Sequence, residues 1–389
     1  MLLLEHLNQN GLDPEAMMET FGVRVTVEGD LALLKYADSG AKWTEPLTHE
    51  CRGVIVRQVG STWHAVSRPW NKFFNLHEGY CPIRGKVDEH AHALSLREKA
   101  DGTCIHVWYD DVREVWRAST LGTISPLALH GKGQTFDEMF WETSQIRPFL
   151  DYFHRGSTYL FELCTPANRI VTKYERPHVV FLGVRRNSDG EYYDTHYHVL
   201  GSQMESATMG TIRRPFGHMV KTLGLRTDED LVAWVEAQSN NPRYGQWPEG
   251  FVAYLGSVPV AKIKNQRYLQ IHAVGGGDVA TARKRVQQAL FTGTIDEVEK
   301  ALVDDLVVHL EALRAKVRHM TAEAIHVIGL VLADGPFADR KAFALSVQRH
   351  VPEIYRAWAY LRGPAGTLSF DEWLAGHYVK LQTVWDELP

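Results

Sequence analysis

Cysteine is scarce. Four in 389 residues, Cys51, Cys81, Cys104 and Cys164, with no C-x-x-C pair, provide neither a disulfide framework nor the spacing of a zinc ribbon. Reduced, mostly buried thiols are expected. Long apolar runs are missing too, because Glu5 and His6 stop the opening run well short of a signal-peptide core. No later stretch approaches the ~20 apolar residues of a membrane span. The expectation is a soluble intracellular protein with no membrane partner. Nor is there an excess of positive charge: 42 Lys and Arg against 47 Asp and Glu give a net charge of -5. That balance excludes non-specific coating of nucleic acid, which depends on neutralising many phosphates. Any polynucleotide contact must come from local basic patches.

What is present is enough apolar residue, 44% of the chain, for one large and one smaller domain. Short runs rich in Val, Ile, Tyr, Phe and Trp predict strands at 53–56, 103–109, 114–118, 158–163, 178–184, 251–255 and 258–263. Asp110-Asp111 and Gly256-Ser257 sit where hairpin turns would join them. After Gly275-Gly276-Gly277, read as a hinge or turn, Val298, Leu302, Leu306, Leu310 and Leu313 follow helical spacing. Thr294 with Glu297, and Ser369 with Glu372, predict capping boxes at helix starts. The fold class is therefore α+β: an antiparallel-sheet domain over residues 1–277, then a small all-α domain over 278–389.

Chemistry concentrates at Glu98-Lys99-Ala100-Asp101-Gly102-Thr103, a K-x-D-G ahead of a predicted strand. A nucleophilic lysine needs desolvation or nearby cations to shed its proton. A glycine three residues on would let a phosphate-bearing ligand approach the backbone. Alone, such a tetrapeptide is ordinarily a solvated turn. It stands, however, within an ordered series: Cys51-Arg52-Gly53-Val54; Ser67-Arg68-Pro69-Trp70-Asn71-Lys72-Phe73-Phe74-Asn75; then, after the lysine, Phe161-Glu162-Leu163, Asn168-Arg169-Ile170-Val171, Glu249-Gly250-Phe251-Val252 and Ala261-Lys262-Ile263-Lys264.

Over roughly residues 50 to 268 this order resembles the covalent nucleotidyltransferase superfamily of ATP-dependent ligases and capping enzymes, and most closely the phage RNA ligase 1 type. The resemblance implies an adenylyltransferase domain in which Lys99 carries AMP. It implies catalytic roles for Asp101, Glu249, Lys262 and Lys264, and nucleotide contacts from Arg52, Lys72, Phe74, Glu98, Gly102, Glu162, Glu249, Lys262 and Lys264. Glu162 is expected at the ribose hydroxyls, for which a carboxylate is a suitable acceptor. ATP is the implied cofactor with Mg2+, or Mn2+ in its place, held through water by Asp101, Glu162 and Glu249, since magnesium keeps most of its waters.

The residues support these roles independently. Lys262 and Lys264, two apart on a strand, share one face and can reach one phosphate region. Together with Arg52 they would disfavour a proton on Lys99. Arg68, Lys72 and Phe74 could hold a phosphate by charge and a base by stacking, with Arg117 and Lys173 as weaker candidates. His90 with His92, and His196 with His198, form H-x-H pairs, but no partner pattern supports zinc, and surface histidines on strand edges are expected.

The implied reaction joins RNA 5'-phosphate and 3'-hydroxyl ends, with nicked tRNA as one substrate, in the cytoplasm of a phage-infected or bacterial cell. The helical region takes the place where DNA ligases and capping enzymes carry a small β-barrel. It holds 13 Lys and Arg against 14 Asp and Glu over 281–389, so no overall basic face marks it as an RNA platform. Two other readings stand beside this one: a capping-type guanylyltransferase using GTP, and a catalytically silent RNA-binding protein.

Overall fold

The computed structural model describes residues 1–37, 39–125, 134–193, 211–239, 241–244, 248–275, 279–292, 295, 299, 302 and 304–377. The chain forms two compact units, Met1–Leu269 and Gln270–Pro389. The strands, in chain order, are β1 (Val23–Glu28), β2 (Leu31–Tyr36), β3 (Arg52–Val59), β4 (Thr62–Ser67), β5 (Phe74–Asn75), β6 (Leu94–Glu98), β7 (Thr103–Asp110) and β8 (Val115–Thr120). They continue with β9 (Ser157–Cys164), β10 (His178–Arg186), β11 (Tyr192–Tyr193), β12 (Ile212–Arg213), β13 (Gly217–Met219), β14 (Gly250–Leu255) and β15 (Val258–Lys264).

Among the described residues the strands make three sheets, ordered β1-β2-β3-β4, β11-β10-β9-β7-β8 with β12 beside β10, and β13-β6-β14-β15-β5. Neighbours are antiparallel except the β10–β12 and β5–β15 pairs. The first sheet is covered by helices Leu2–Asn10 and Pro14–Phe21, which bury Leu3, Leu7, Met17 and Phe21 against it.

Strand periodicity explains how the other two sheets meet. On β9, Tyr159, Phe161 and Leu163 point into one core with Ile105, Val107 and Phe181, beneath helix Phe136–Ser144. Leu160 points the opposite way and packs with Trp70, Phe73, Val252 and Tyr254, the last two from β14. The third sheet's far face packs Leu96, Phe251, Ala253 and Ile263 against Leu231 and Val235 of helix Asp228–Ala237.

The chain crosses from the third sheet to the second through residues 99–102. A Cβ on Gly102 would stand 2.2 Å from the Leu163 carbonyl oxygen and 3.2 Å from Cys164 Sγ. The glycine expected to admit a phosphate instead admits the backbone of β9, which puts the K-x-D-G turn directly against that strand. Gly102→Ala should therefore cost about 2–3 kcal/mol through overpacking, lowering the thermal midpoint by about 4–12 °C, as a melting curve would read.

In the second unit, Leu306, Leu310 and Leu313 are buried along helix Asp304–Ala333. Ser369 and Glu372 make their reciprocal cap: the Glu372 amide donates to Ser369 Oγ, and the Ser369 amide donates to Glu372 Oε2. The Thr294–Glu297 cap, Val298, Gly276, Gly277, His196 and His198 lie outside the described residues. His90 ends the short helix Val87–His90 and His92 lies in the turn after it, so this pair is on no strand edge. Among the described residues, no helix is long and apolar enough to cross a membrane.

Candidate active site

Lys99 follows the last residue of β6. Its amide donates to the Gly250 carbonyl at 2.9 Å, and its Nζ donates to Glu249 Oε2 at 2.5 Å. The other oxygen of Glu249 lies 2.9 Å from Lys264 Nζ on β15. Gly250 makes this bridge possible. At φ +137° its absent Cβ would lie 2.2 Å from the Ile263 carbonyl oxygen, so any side chain there would push β14 off β15. Lys262 lies on the Lys264 side of β15 with its Nζ 4.8 Å from the centre of the Phe73 ring. The Arg52 guanidinium, at the start of β3, lies 5.4 Å from the same ring.

These groups, with Glu98, Cys104 and Glu162, line a cavity of about 150 Å3 walled by Trp70, Phe73, Val252 and Tyr254. Sites that enclose a whole small ligand hold ~300–1,000 Å3.

The cavity is electrostatically unsettled. Arg52 Nη1 is buried with no hydrogen-bond partner among the described residues. Burial, reinforced by Arg52, Lys99, Lys72 and Lys264, pushes the Lys262 ammonium down to about 6. Burial also lifts the Glu162 carboxyl to about 7, against the pull of Lys99. An orphaned guanidinium nitrogen and a lysine short of counter-charge are the features a phosphate would relieve. A metal cage does not fit: among the described residues no group of three or more His, Cys, Asp or Glu side chains could hold an ion.

Lys99 departs from expectation. Burial disfavours its ammonium, but Glu249, Glu162 and Asp101 outweigh burial and hold its pKa above the usual lysine value. A carboxylate in direct contact overrides the cations thought to discharge it. In Glu249 the same contacts work in reverse: burial opposes its charge, and Lys99 and Lys264 more than compensate.

Not every expected residue reaches the cavity. Asp101 is 2% exposed and accepts from the amides of Val171 (2.9 Å) and Thr172 (2.7 Å) and from the Tyr268 hydroxyl (2.8 Å), so it anchors the turn and does not face the cavity. Phe74 packs in the core below the third sheet with Trp43 and Tyr80. The alternation of side chains puts its neighbour Phe73 in the cavity wall instead. Lys72 sits over the rings of Tyr36, Trp43 and Phe74. Arg68 is buried framework, donating to the Asn187 carbonyl. Arg117 pairs with Asp110 and Glu28, and Lys173 is exposed and lines no part of the cavity.

Sequence reasoning missed Arg213, whose two guanidinium nitrogens each reach a Glu98 oxygen at 2.7 Å. It also missed Tyr174 and Tyr268, which hold Asp101 in place. No local pattern marks residues paired across such separations.

Lys262 yields a stability prediction. Its folded pKa lies below the unfolded value of 10.5, so the unfolded state binds the proton more tightly between pH 10.5 and about 6. Wild-type stability should therefore fall as pH drops through that window. Lys262→Met removes the penalty, raising stability at pH 7 by about 1 kcal/mol, or roughly 2–4 °C, and flattening the slope. A lower melting temperature for the variant would contradict this electrostatic account.

Antiparallel sheets meet at a lysine-lined cavity braced by buried carboxylates, in an α+β fold. The chain belongs to the RNA ligase family, whose model matches residues 50–268, more than half of its length. Among curated relatives, an RNA ligase of Rhodothermus phage RM378 is 33% identical over 214 residues, covering 47% of this chain and 48% of the phage protein. A candidate bifunctional polynucleotide kinase/RNA ligase of Autographa californica nuclear polyhedrosis virus is 28% identical over 289 residues, or 70% of this chain and 38% of the viral protein. The chain thus spans about half or less of the length of these relatives. An archaeal ATP-dependent RNA ligase structure aligns over 98% of this chain and 99% of its own, with 12% identity and a TM-score of 0.46.

Proposed function

We propose that the chain is an ATP-dependent RNA ligase working through Lys99. The amine attacks the α-phosphorus of ATP, forming a P–N bond as the P–O bond to pyrophosphate breaks. The AMP then passes to the 5'-phosphate of an RNA end, and a 3'-hydroxyl attacks that activated phosphate, closing the phosphodiester and releasing AMP. All three steps are displacements at phosphorus, so one cationic site can serve each.

The observation that supports this reading is the pairing of a lysine at hydrogen-bond distance from a buried carboxylate with the unpartnered Arg52 Nη1 and the charge-disfavoured Lys262 beside it. Glu249 Oε2 is placed to accept the Lys99 proton. Lys264 and Arg52 offer fixed positive charge to the non-bridging oxygens, where charge gathers in the transition state, and a phosphate beside Lys262 would favour return of the proton that burial removes from it. Glu162, whose side chain lines the cavity, suits the ribose hydroxyls. Magnesium, entering with the nucleotide and still largely hydrated, would supply charge neutralisation that the protein does not cage. Nicked tRNA as a substrate, and recognition of folded RNA by the helical region, belong to this same reading.

The test is incubation with magnesium and α-labelled ATP or GTP, followed by denaturing electrophoresis. Label from ATP alone is expected, with RNA carrying 5'-phosphate and 3'-hydroxyl ends joined in turn. Label from GTP alone would replace the ligase with a capping-type guanylyltransferase. No label from either, in folded protein shown not to carry AMP already, would leave an RNA-binding protein.

A further inference from the structure

Two short segments carry the chain between the second and third sheets. One is the Lys99 turn, residues 99–102, between β6 and β7; the other is residues 214–216, between β12, which lies on β10, and β13, which lies on β6. A single side chain ties them together. Arg213, the last residue of β12, donates from Nη1 to Glu98 Oε2 and from Nη2 to Glu98 Oε1, each at 2.7 Å, and Glu98 is the residue before Lys99. We propose that Arg213 is a positioning residue for the attack by Lys99, acting through Glu98. The proposal rests on the ligase reading and adds what holds the nucleophile in place.

Glu98 is 5% exposed, so its carboxylate needs a charged partner, and among the described residues Arg213 is the cation paired with it. The planar guanidinium meets the carboxylate oxygen for oxygen, which fixes direction as well as distance. The backbone repeats the tie: the Glu98 amide donates to the Phe216 carbonyl at 2.8 Å, and the Lys99 amide to the Gly250 carbonyl at 2.9 Å. The start of the turn is thus held on one side by the segment that follows β12 and on the other by β14.

The register shows from which side the clamp acts. Glu98 pairs directly with Phe251, so the two share a face of the third sheet, the face on which Leu96 is also buried. Val252, which walls the cavity, is on the opposite face, and Arg213 is not among the residues that line the cavity. Glu98 borders that space, but both of its oxygens are committed to Arg213. Glu249 therefore orders the tip of the Lys99 side chain, while Arg213 orders its root. Displacement at phosphorus is sensitive to such placement, since a shift of ~1 Å can cost about 10^2-fold in rate.

The test is single-turnover adenylylation at saturating ATP, which reads a rate constant and, separately, the label finally taken up per protein. Arg213→Gln should slow the rate constant about 10^2-fold. Arg213→Lys keeps the charge but not the planar fork and should slow it about 10-fold, with the final label and the half-saturating ATP concentration of both variants within about 2-fold of wild type. A merely structural role gives the opposite pattern, less final label at an unchanged rate constant, because the molecules that fold react normally; that result would overturn the proposal. Glu98→Gln completes a cycle. If the pair acts as a unit, the double variant Glu98→Gln/Arg213→Gln is no slower than the slower single variant. Losses that multiply, or a half-saturating ATP concentration that rises in Glu98→Gln alone, would make Glu98 a nucleotide contact and overturn the clamp. Wild-type protein that takes no label from ATP would sink the ligase reading and the proposal with it, whereas labelled wild type with unchanged rate constants in both Arg213 variants sinks the clamp alone.

Discussion

Lys99→Arg is expected to reduce labelling by α-labelled ATP about 10^4-fold or more, the scale seen when a covalent nucleophile is removed, while the melting temperature stays near that of wild type. Arginine keeps a cation beside Glu249 and so preserves the buried ion pair, but a guanidinium cannot lose its proton in a protein. The substitution therefore separates charge from nucleophilicity, which alanine would not. The result also decides between two lysines. Lys262, pushed down to about 6, is the better discharged amine near neutral pH, whereas Lys99 is held protonated by its carboxylate neighbours. Chemistry at Lys99 then requires that the rate climb about tenfold per pH unit below its pKa, because only the uncharged amine attacks. If Lys99→Arg still took up label, and the labelled peptide contained Lys262, the nucleophile would have been misassigned.

That ambiguity shows where sequence stops being informative. Strands such as β7, β9 and β15 were legible because alternating or continuous apolar runs of their length have few other solutions. The ordered motifs also brought Arg52, Glu98, Lys99, Glu162, Glu249, Lys262 and Lys264 to mind together, and these do share one cavity. What sequence could not reveal is which way each group is spent. Asp101 looked like a metal ligand until Tyr268, 167 positions away, and two loop amides were seen to occupy it. Phe73 and Phe74 are chemically identical, and only the register of a two-residue strand against β15 decides which lines the site. Gly102 read as a gap for a ligand because the approaching β9 backbone is invisible in one dimension.

Glu249→Gln should lower the maximal adenylylation rate about 10^2- to 10^3-fold, within the range assigned to a positioned general base, and should move the pH profile in the opposite sense to a simple loss. The glutamine keeps a hydrogen-bond acceptor near Lys99 but removes the charge that holds the ammonium, so the amine discharges at lower pH and the rising limb shifts towards neutrality. Two effects compete. Easier deprotonation helps attack at pH 7, while the missing proton acceptor and the loosened Lys264 hurt the transition state at every pH. The second is the larger because geometry and fixed charge act directly on the reacting phosphate. A stability readout separates the roles further. Glu249 has a folded pKa below its ordinary 4.5, so its ion pairs stabilise wild type above that pH and the contribution is lost as acid titrates the carboxylate. The wild-type advantage over the variant should therefore be largest near neutrality and shrink below pH 4.5. An unshifted pH–rate profile in Glu249→Gln would mean that Lys99 takes its protonation state from elsewhere in the cavity, and Glu162 would be the carboxylate to replace next.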